Sequence, residues 1–321
     1  MDVTAEIAKM TPGPPPRLLD SQPPEGLELR NPIVVILWSF GLYVLMHTWL
    51  YLGSWFAVQA TGADFIAVLT GEVKSPQIAL VVGLTSLVLG IPMTFAIVRY
   101  LWRRERGWMC LPFGTKPILV GLGLGLAVPL TIVIVLGVLG AATISGYPGR
   151  LSSAGTIAIL IGHLCQSLFK GVTEEVVFRG MAVREIAARW GWWVGGLTGG
   201  LYFGLAHLVG GIGEISWLDA AWIIVASVLA NALFVALLLR SHSLWLPIGF
   251  HAGWNFFLKA ILGTSMSGNE SELGLFGVEL AGPSWLTGGN FGVEASAVSL
   301  LFYVLLAAFV LLFPRRRDPI S

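Results

Sequence analysis

The sequence predicts an all-α, polytopic membrane protein, a helix bundle of about eight transmembrane helices. Three observations predict it. The chain has 321 residues, of which 55% are hydrophobic and only 12% charged, about half the charged share of a soluble domain. Apolar runs close to the roughly 20 residues needed to cross a bilayer recur along its length. Its charges sort by loop instead of scattering.

The elements follow in order. Residues 1–31 are polar and Pro-rich (Pro12, Pro14, Pro15, Pro16, Pro23, Pro24) with no apolar core, so the expectation is a disordered cytoplasmic tail and no signal peptide. Spans are expected near 33–57, 77–101, 117–142, 154–181, 196–212, 217–239, 244–263 and 294–313. The fourth is expected to end where Arg179, Arg184 and Arg189 interrupt the hydropathy. Residues 190–196, with Trp190, Gly191, Trp192, Trp193, Gly195 and Gly196, then suggest an interfacial turn before the fifth. Segment 264–293, rich in Gly, Ser and Glu, suggests an irregular outer loop, and 315–321 a short basic tail. The transmembrane domain is therefore drawn as 32–314. Thirteen Trp and 40 Gly suit such a bundle, because aromatic rings settle at headgroup level and small residues let helix backbones approach.

Lys and Arg gather in cytoplasmic loops, which orients the bundle. With the N-terminus inside, one side collects Lys9, Arg17, Arg30, Arg99, Arg103, Arg104, Arg106, Lys116, Arg179, Arg184, Arg189, Arg240, Arg315, Arg316 and Arg317. The other side holds Lys74, Arg150 and Lys259 with the acids Asp64, Glu72, Glu214, Asp219, Glu270, Glu272, Glu279 and Glu294. Both termini are thus expected in the cytoplasm, with the protein integral to a bacterial cytoplasmic membrane. A formal net charge of +1 supplies no basic field for nucleic acid. The expected partners are the lipid bilayer and a membrane-associated peptide or protein. Cys110 and Cys165 fit neither a disulfide framework nor a metal pair, which leaves them as packing residues.

Ionisable side chains at bilayer depth are costly unless paired or facing water, so each marks a functional hypothesis. The fourth span carries Lys170, Glu174, Glu175 and Arg179 in KGVTEEVVFRG, the fifth Phe203 and His207 in FGLAH, and the seventh His251 and Asn255 in HAGWN. Residues four apart share a helix face, which pairs Lys170 with Glu174, Glu175 with Arg179, and His251 with Asn255. At 1.5 Å of rise per residue, Glu174 and His251 lie on the order of 10 Å, and His207 on the order of 15 Å, from the arginine-rich boundary. A carboxylate and two imidazoles from three helices are thus expected to share one polar cavity on the cytoplasmic half. His47, His163, His242 and Asn231 fit packing or interfacial positions, and the Phe203 ring fits a core position.

These motifs resemble those of the CAAX prenyl endopeptidase and bacteriocin-processing (CPBP) family. Glu174, Glu175 and Arg179 are similar to its EExxxR signature, Phe203 and His207 to its FxxxH signature, and His251 and Asn255 to its HxxxN signature. The resemblance covers roughly residues 150–260. It implies peptide-bond hydrolysis inside the membrane, on prenylated CAAX tails, bacteriocin-like peptides or other membrane-associated substrates. A carboxylate in a low-dielectric site suits a general base, so Glu174 is expected to activate water that His207 holds or shares. His251 and Asn255 are expected to face the oxyanion, and Arg179 to neutralise Glu175. No cofactor is assigned. A catalytic zinc stays open, with Glu174, His207 and His251 as candidate ligands, although HExxH is absent. Two other readings stay open as well: a non-catalytic immunity or scaffold protein of the same family, and a small ion or proton transporter.

Overall fold

The computed structural model describes residues 28–70, 72–145, 153–209, 216–268 and 274–313. Most of the Pro-rich tail, the basic C-terminal tail, and the charges Lys9, Arg17, Arg150, Glu214, Glu270, Glu272, Arg315, Arg316 and Arg317 lie outside the described residues.

The chain is an all-α membrane helix bundle. In order it forms α1 (Pro32–Met46), α2 (Trp49–Thr61), α3 (Phe65–Thr70), α4 (Pro76–Trp102), α5 (Thr115–Val138), α6 (Ser153–Trp190), α7 (Trp192–Leu208), α8 (Trp217–Ser241), α9 (245–261), α10 (Ser284–Thr287) and α11 (Ala297–Leu312). Five stretches are long and apolar enough to cross a membrane, namely Pro32–Thr61, α4, α5, α6 and α8. The remaining apolar segments expected from the sequence are shorter helices, such as α7 with 17 residues and α11 with 16.

Local chemistry explains where several helices start. Asn31, Ser75, Ser216 and Ser296 accept hydrogen bonds from the backbone N–H of Ile33, Ile78, Asp219 and Ser299, satisfying donors that a first turn leaves unpaired. Pro32 and Pro76 follow two of these caps at the first helical position, where a missing N–H costs nothing.

One end of the bundle is defined by contacts among its arginines. Arg104 pairs with Glu185, Arg189 donates to the Leu29 carbonyl (3.2 Å), and Arg240 donates to the Phe313 carbonyl (3.0 Å). The opposite end carries a small antiparallel sheet, β1 (Ala142–Ser145) against β2 (Gly277–Leu280), with Ala142 opposite Leu280.

Four sequence expectations are corrected here. The third span does not run to 142: α5 stops at Val138, Gly140 takes a left-handed φ of 72°, and the chain enters β1. Segment 264–293 is not irregular throughout, because it supplies β2 and α10. The first span is broken at His47 and Thr48 and resumes as α2. The fourth does not end near 181, and 190–196 is not an extended turn. Helix α6 continues to Trp190, only Gly191 (φ 87°) breaks the chain, and α7 begins at Trp192. The physical reason is that the interrupting charges are satisfied by protein: Arg184 lies over the Trp108 ring at 4.1 Å and donates to the Trp108 carbonyl (3.1 Å). Hydropathy counts such residues as span breakers, whereas a helix packed against partners tolerates them.

Two glycine pairs place α9. Methyl groups at Gly121 or Gly125 on α5 would overlap the backbones of Leu246 and Phe250, and at Gly249 or Gly253 on α9 those of Ile118 and Leu122. The two helices therefore meet backbone to backbone, the use of small residues that membrane packing favours. This contact fixes the rotation of α9, and with it the direction of His251. Cys110 and Cys165 are free and buried, and burial pushes the Cys110 thiol above its ordinary pKa.

Candidate active site

Glu174 is the last α-helical residue of its stretch of α6. From Glu175 to Val183 the helix widens into a π-helix, a distortion that often accompanies functional sites. Both glutamates are buried, as is Arg179, which has no exposed surface. Arg179 is thus not at a helix end, as the expected span boundary implied, but inside the bundle. Its Nη1 donates to Glu175 Oε1 at 2.9 Å. Its guanidinium lies between two aromatic faces, 4.5 Å from the Phe203 ring centre and 4.2 Å from that of Phe234. The ion pair and these cation–π contacts together replace water around a charge that would otherwise be very costly to bury.

The two carboxylates divide into different environments. Glu175 Oε1 accepts from Arg179 and lies 2.8 Å from His251 Nδ1. Glu174 lies 3.6 Å from His251 Nε2 through its Oε2, and its Oε1 accepts the Tyr43 hydroxyl at 3.3 Å. Because Glu175 is engaged with a guanidinium, the proton of the shared contact sits on His251 Nδ1. His251 Nε2 is therefore the nitrogen turned to Glu174.

His207 is held in a comparable way by another group. Its Nδ1 lies 2.8 Å from the Phe203 carbonyl, an oxygen that only accepts, so Nδ1 carries the proton and Nε2 offers a lone pair. Asn255 is buried one turn beyond His251, and its amide has no hydrogen-bond partner among the described residues.

A cavity of about 230 Å³ joins these groups: Glu174, His207, His251 and Asn255 all line it, with Tyr43, Lys170 and Phe203. Glu175 and Arg179 lie behind the wall. The expected i,i+4 partnership of Lys170 with Glu174 is not an ion pair in the structure, where Tyr43 takes the Glu174 oxygen instead. The common cytoplasmic-half depth is also corrected. His207 occupies the last turn of α7, far from the arginine end, and Met266, Ser267, Phe291 and Glu294 close the cavity from the sheet-bearing end. The polar pocket therefore extends towards the sheet-bearing end, away from the arginines. Helix α7 begins at Trp192, before the Gly196 from which the expected depth is counted, so His207 lies further along it than expected.

Sequence reasoning missed several groups at the site. Tyr43 was hidden in an unremarkable apolar helix, and no spacing pointed to it. Phe234 reads as core until Arg179 is seen against it. Glu294 was grouped with the outer acids, yet its Oε1 accepts the Trp254 indole N–H (3.0 Å) and its Oε2 the Ser267 backbone N–H (2.9 Å) and hydroxyl (2.7 Å).

The ligand question can be put to the donor set. Among the described residues no three His, Cys, Asp or Glu side chains are grouped to hold a metal ion. Glu174, His207 and His251 are ligands by type and line one cavity, but among the described residues they are not grouped as a metal-holding triad.

Chemically, the arrangement offers a carboxylate with an oxygen facing a cavity, an imidazole lone pair, and a free amide, all backed by the buried Glu175–Arg179 ion pair. No curated protein matches the chain significantly. The family model described as type II CAAX prenyl endopeptidase Rce1-like matches residues 156–257, less than half of the chain but the stretch that holds all three motifs, so this segment of the integral membrane protein is similar to that protease family.

Proposed function

We propose that the protein is an intramembrane endopeptidase that hydrolyses a peptide bond of a membrane-associated substrate, prenylated or bacteriocin-like. The observation that carries this reading is the meeting of Glu174, His207, His251 and Asn255 on one cavity. Water in that cavity loses a proton to Glu174, while the His207 Nε2 lone pair accepts its second hydrogen and orients it. The water oxygen attacks the substrate carbonyl, and the carbonyl π electrons move to oxygen. The Asn255 amide donates to that oxyanion, and His251 in its protonated form donates from Nε2. Collapse expels the amine, which takes the proton held by Glu174. Glu175 and Arg179 do not touch substrate in this scheme. They fix the His251 ring through Nδ1, a positioning role.

Charge sorting supports an orientation with the arginine end in the cytoplasm. The sheet-bearing end of the cavity then faces the outer side.

The test is hydrolysis of a farnesylated peptide by the purified protein in nanodiscs, followed by mass spectrometry. The reading expects cleavage that falls about 10²- to 10⁴-fold in Glu174→Gln, the range for loss of a general base. Cleavage unaffected by that substitution would overturn it.

A further inference from the structure

Lys170 is unusual among the cavity residues. It stands on the cavity wall, half-buried, one helical turn before Glu174. No carboxylate among the described residues is within ion-pair distance of it. The acids nearby are otherwise engaged: Glu174 with Tyr43 and His251, Glu175 with Arg179 and His251, Glu294 with Trp254 and Ser267. An ammonium at membrane depth is costly unless it faces water or an anion, and here it faces a cavity.

We propose that Lys170 docks a carboxylate of the peptide substrate. The proposal rests on the protease reading and deepens it. Four residues of helix separate Lys170 from Glu174 by about 6 Å along the axis, and an extended peptide advances about 3.3 Å per residue. A carboxylate held at Lys170 therefore lies within a few residues of the bond that the water attacks. The rings of Phe178, Phe250, Trp254 and Phe291 line the same cavity, so the residues flanking that carboxylate are apolar. Two sources supply the group, a free chain terminus or an Asp or Glu side chain. If Lys170 served only to moderate the charge of Glu174, its removal would slow every peptide equally.

Three farnesylated peptides separate these cases: one with a free C-terminal carboxylate, the same peptide as its amide, and an amide whose last residue is Glu. Turnover is measured with the wild-type protein, and binding with Glu174→Gln, each with and without Lys170→Met or Lys170→Arg. The expected result is at least a 10-fold preference for the free acid over the plain amide, abolished by Lys170→Met and largely kept by Lys170→Arg. Recovery with the Glu-terminated amide assigns the subsite to any carboxylate, and no recovery assigns it to the chain terminus. Lack of an acid-over-amide preference in both turnover and binding overturns the proposal, as does an equal loss on all three peptides in Lys170→Met. Acid-selective binding through Lys170 without any cleavage would sink the protease reading and leave the carboxylate subsite standing.

Discussion

Helix α6 carries two clusters of buried charge, and they differ in what faces them. At the arginine end, Glu185 is fully buried and pairs with Arg104, while Arg184 is stacked on Trp108. About ten residues earlier, Glu175 is likewise paired, through its Oε1, with Arg179 and His251, but its neighbour Glu174 turns an oxygen to a cavity and meets only Tyr43 and a more distant imidazole. Both clusters break the hydropathy of one helix. Burial of charge alone therefore does not make a site. What distinguishes the second cluster is a carboxylate that lines a cavity with space for water, next to a twin that lies behind the wall, paired with a guanidinium and an imidazole.

The comparison can be broken or sharpened by substitution. The largest effect is expected from Glu174→Gln, which keeps shape and removes the base. Peptide hydrolysis should fall about 10²- to 10⁴-fold, with the thermal unfolding midpoint in detergent nearly unchanged. Next, Arg179→Ala leaves Glu175 buried without its guanidinium partner and with only His251 beside it, a change worth about 3–5 kcal/mol, visible as a large drop in that midpoint along with loss of activity. Asn255→Ala removes a donor aimed into the cavity and should cost on the order of 10²-fold in kcat, with KM little changed. Glu185→Gln provides the control for the comparison: it should lower stability by about 1–3 kcal/mol while turnover per folded molecule stays near wild type. The smallest effect is expected from Glu294→Ala, which releases Ser267 and Trp254 and should make 264–293 more susceptible to limited proteolysis. If Glu185→Gln abolished turnover while Glu174→Gln did not, the distinction between the two clusters would be lost.

Much of this was legible in the residues. The apolar runs located the helices, since a span needs length and little else. The ordered pairs Glu175 and Arg179, and His251 and Asn255, could be placed on shared helix faces by spacing alone. Helix ends were harder: Arg184 and Glu185 read as a boundary because hydropathy cannot see Trp108 or Arg104 waiting for them. Strand β1 was not legible, because Ala142–Ser145 is only four residues long and its partner β2 lies about 135 residues away.

The sequence by itself determined that this chain crosses a membrane, that carboxylates and imidazoles sit on its fourth, fifth and seventh apolar segments, and which of them share a face. Those properties follow from composition and from the local period of the helix. Only the tertiary structure decided that Glu175 and Glu174 divide the labour of support and exposure, that Tyr43 reaches Glu174, and that Lys170 and Glu294 belong to the same cavity. These depend on how α1, α9 and the 264–293 segment rotate and pack against α6, and contacts between distant segments leave no periodic trace along the chain.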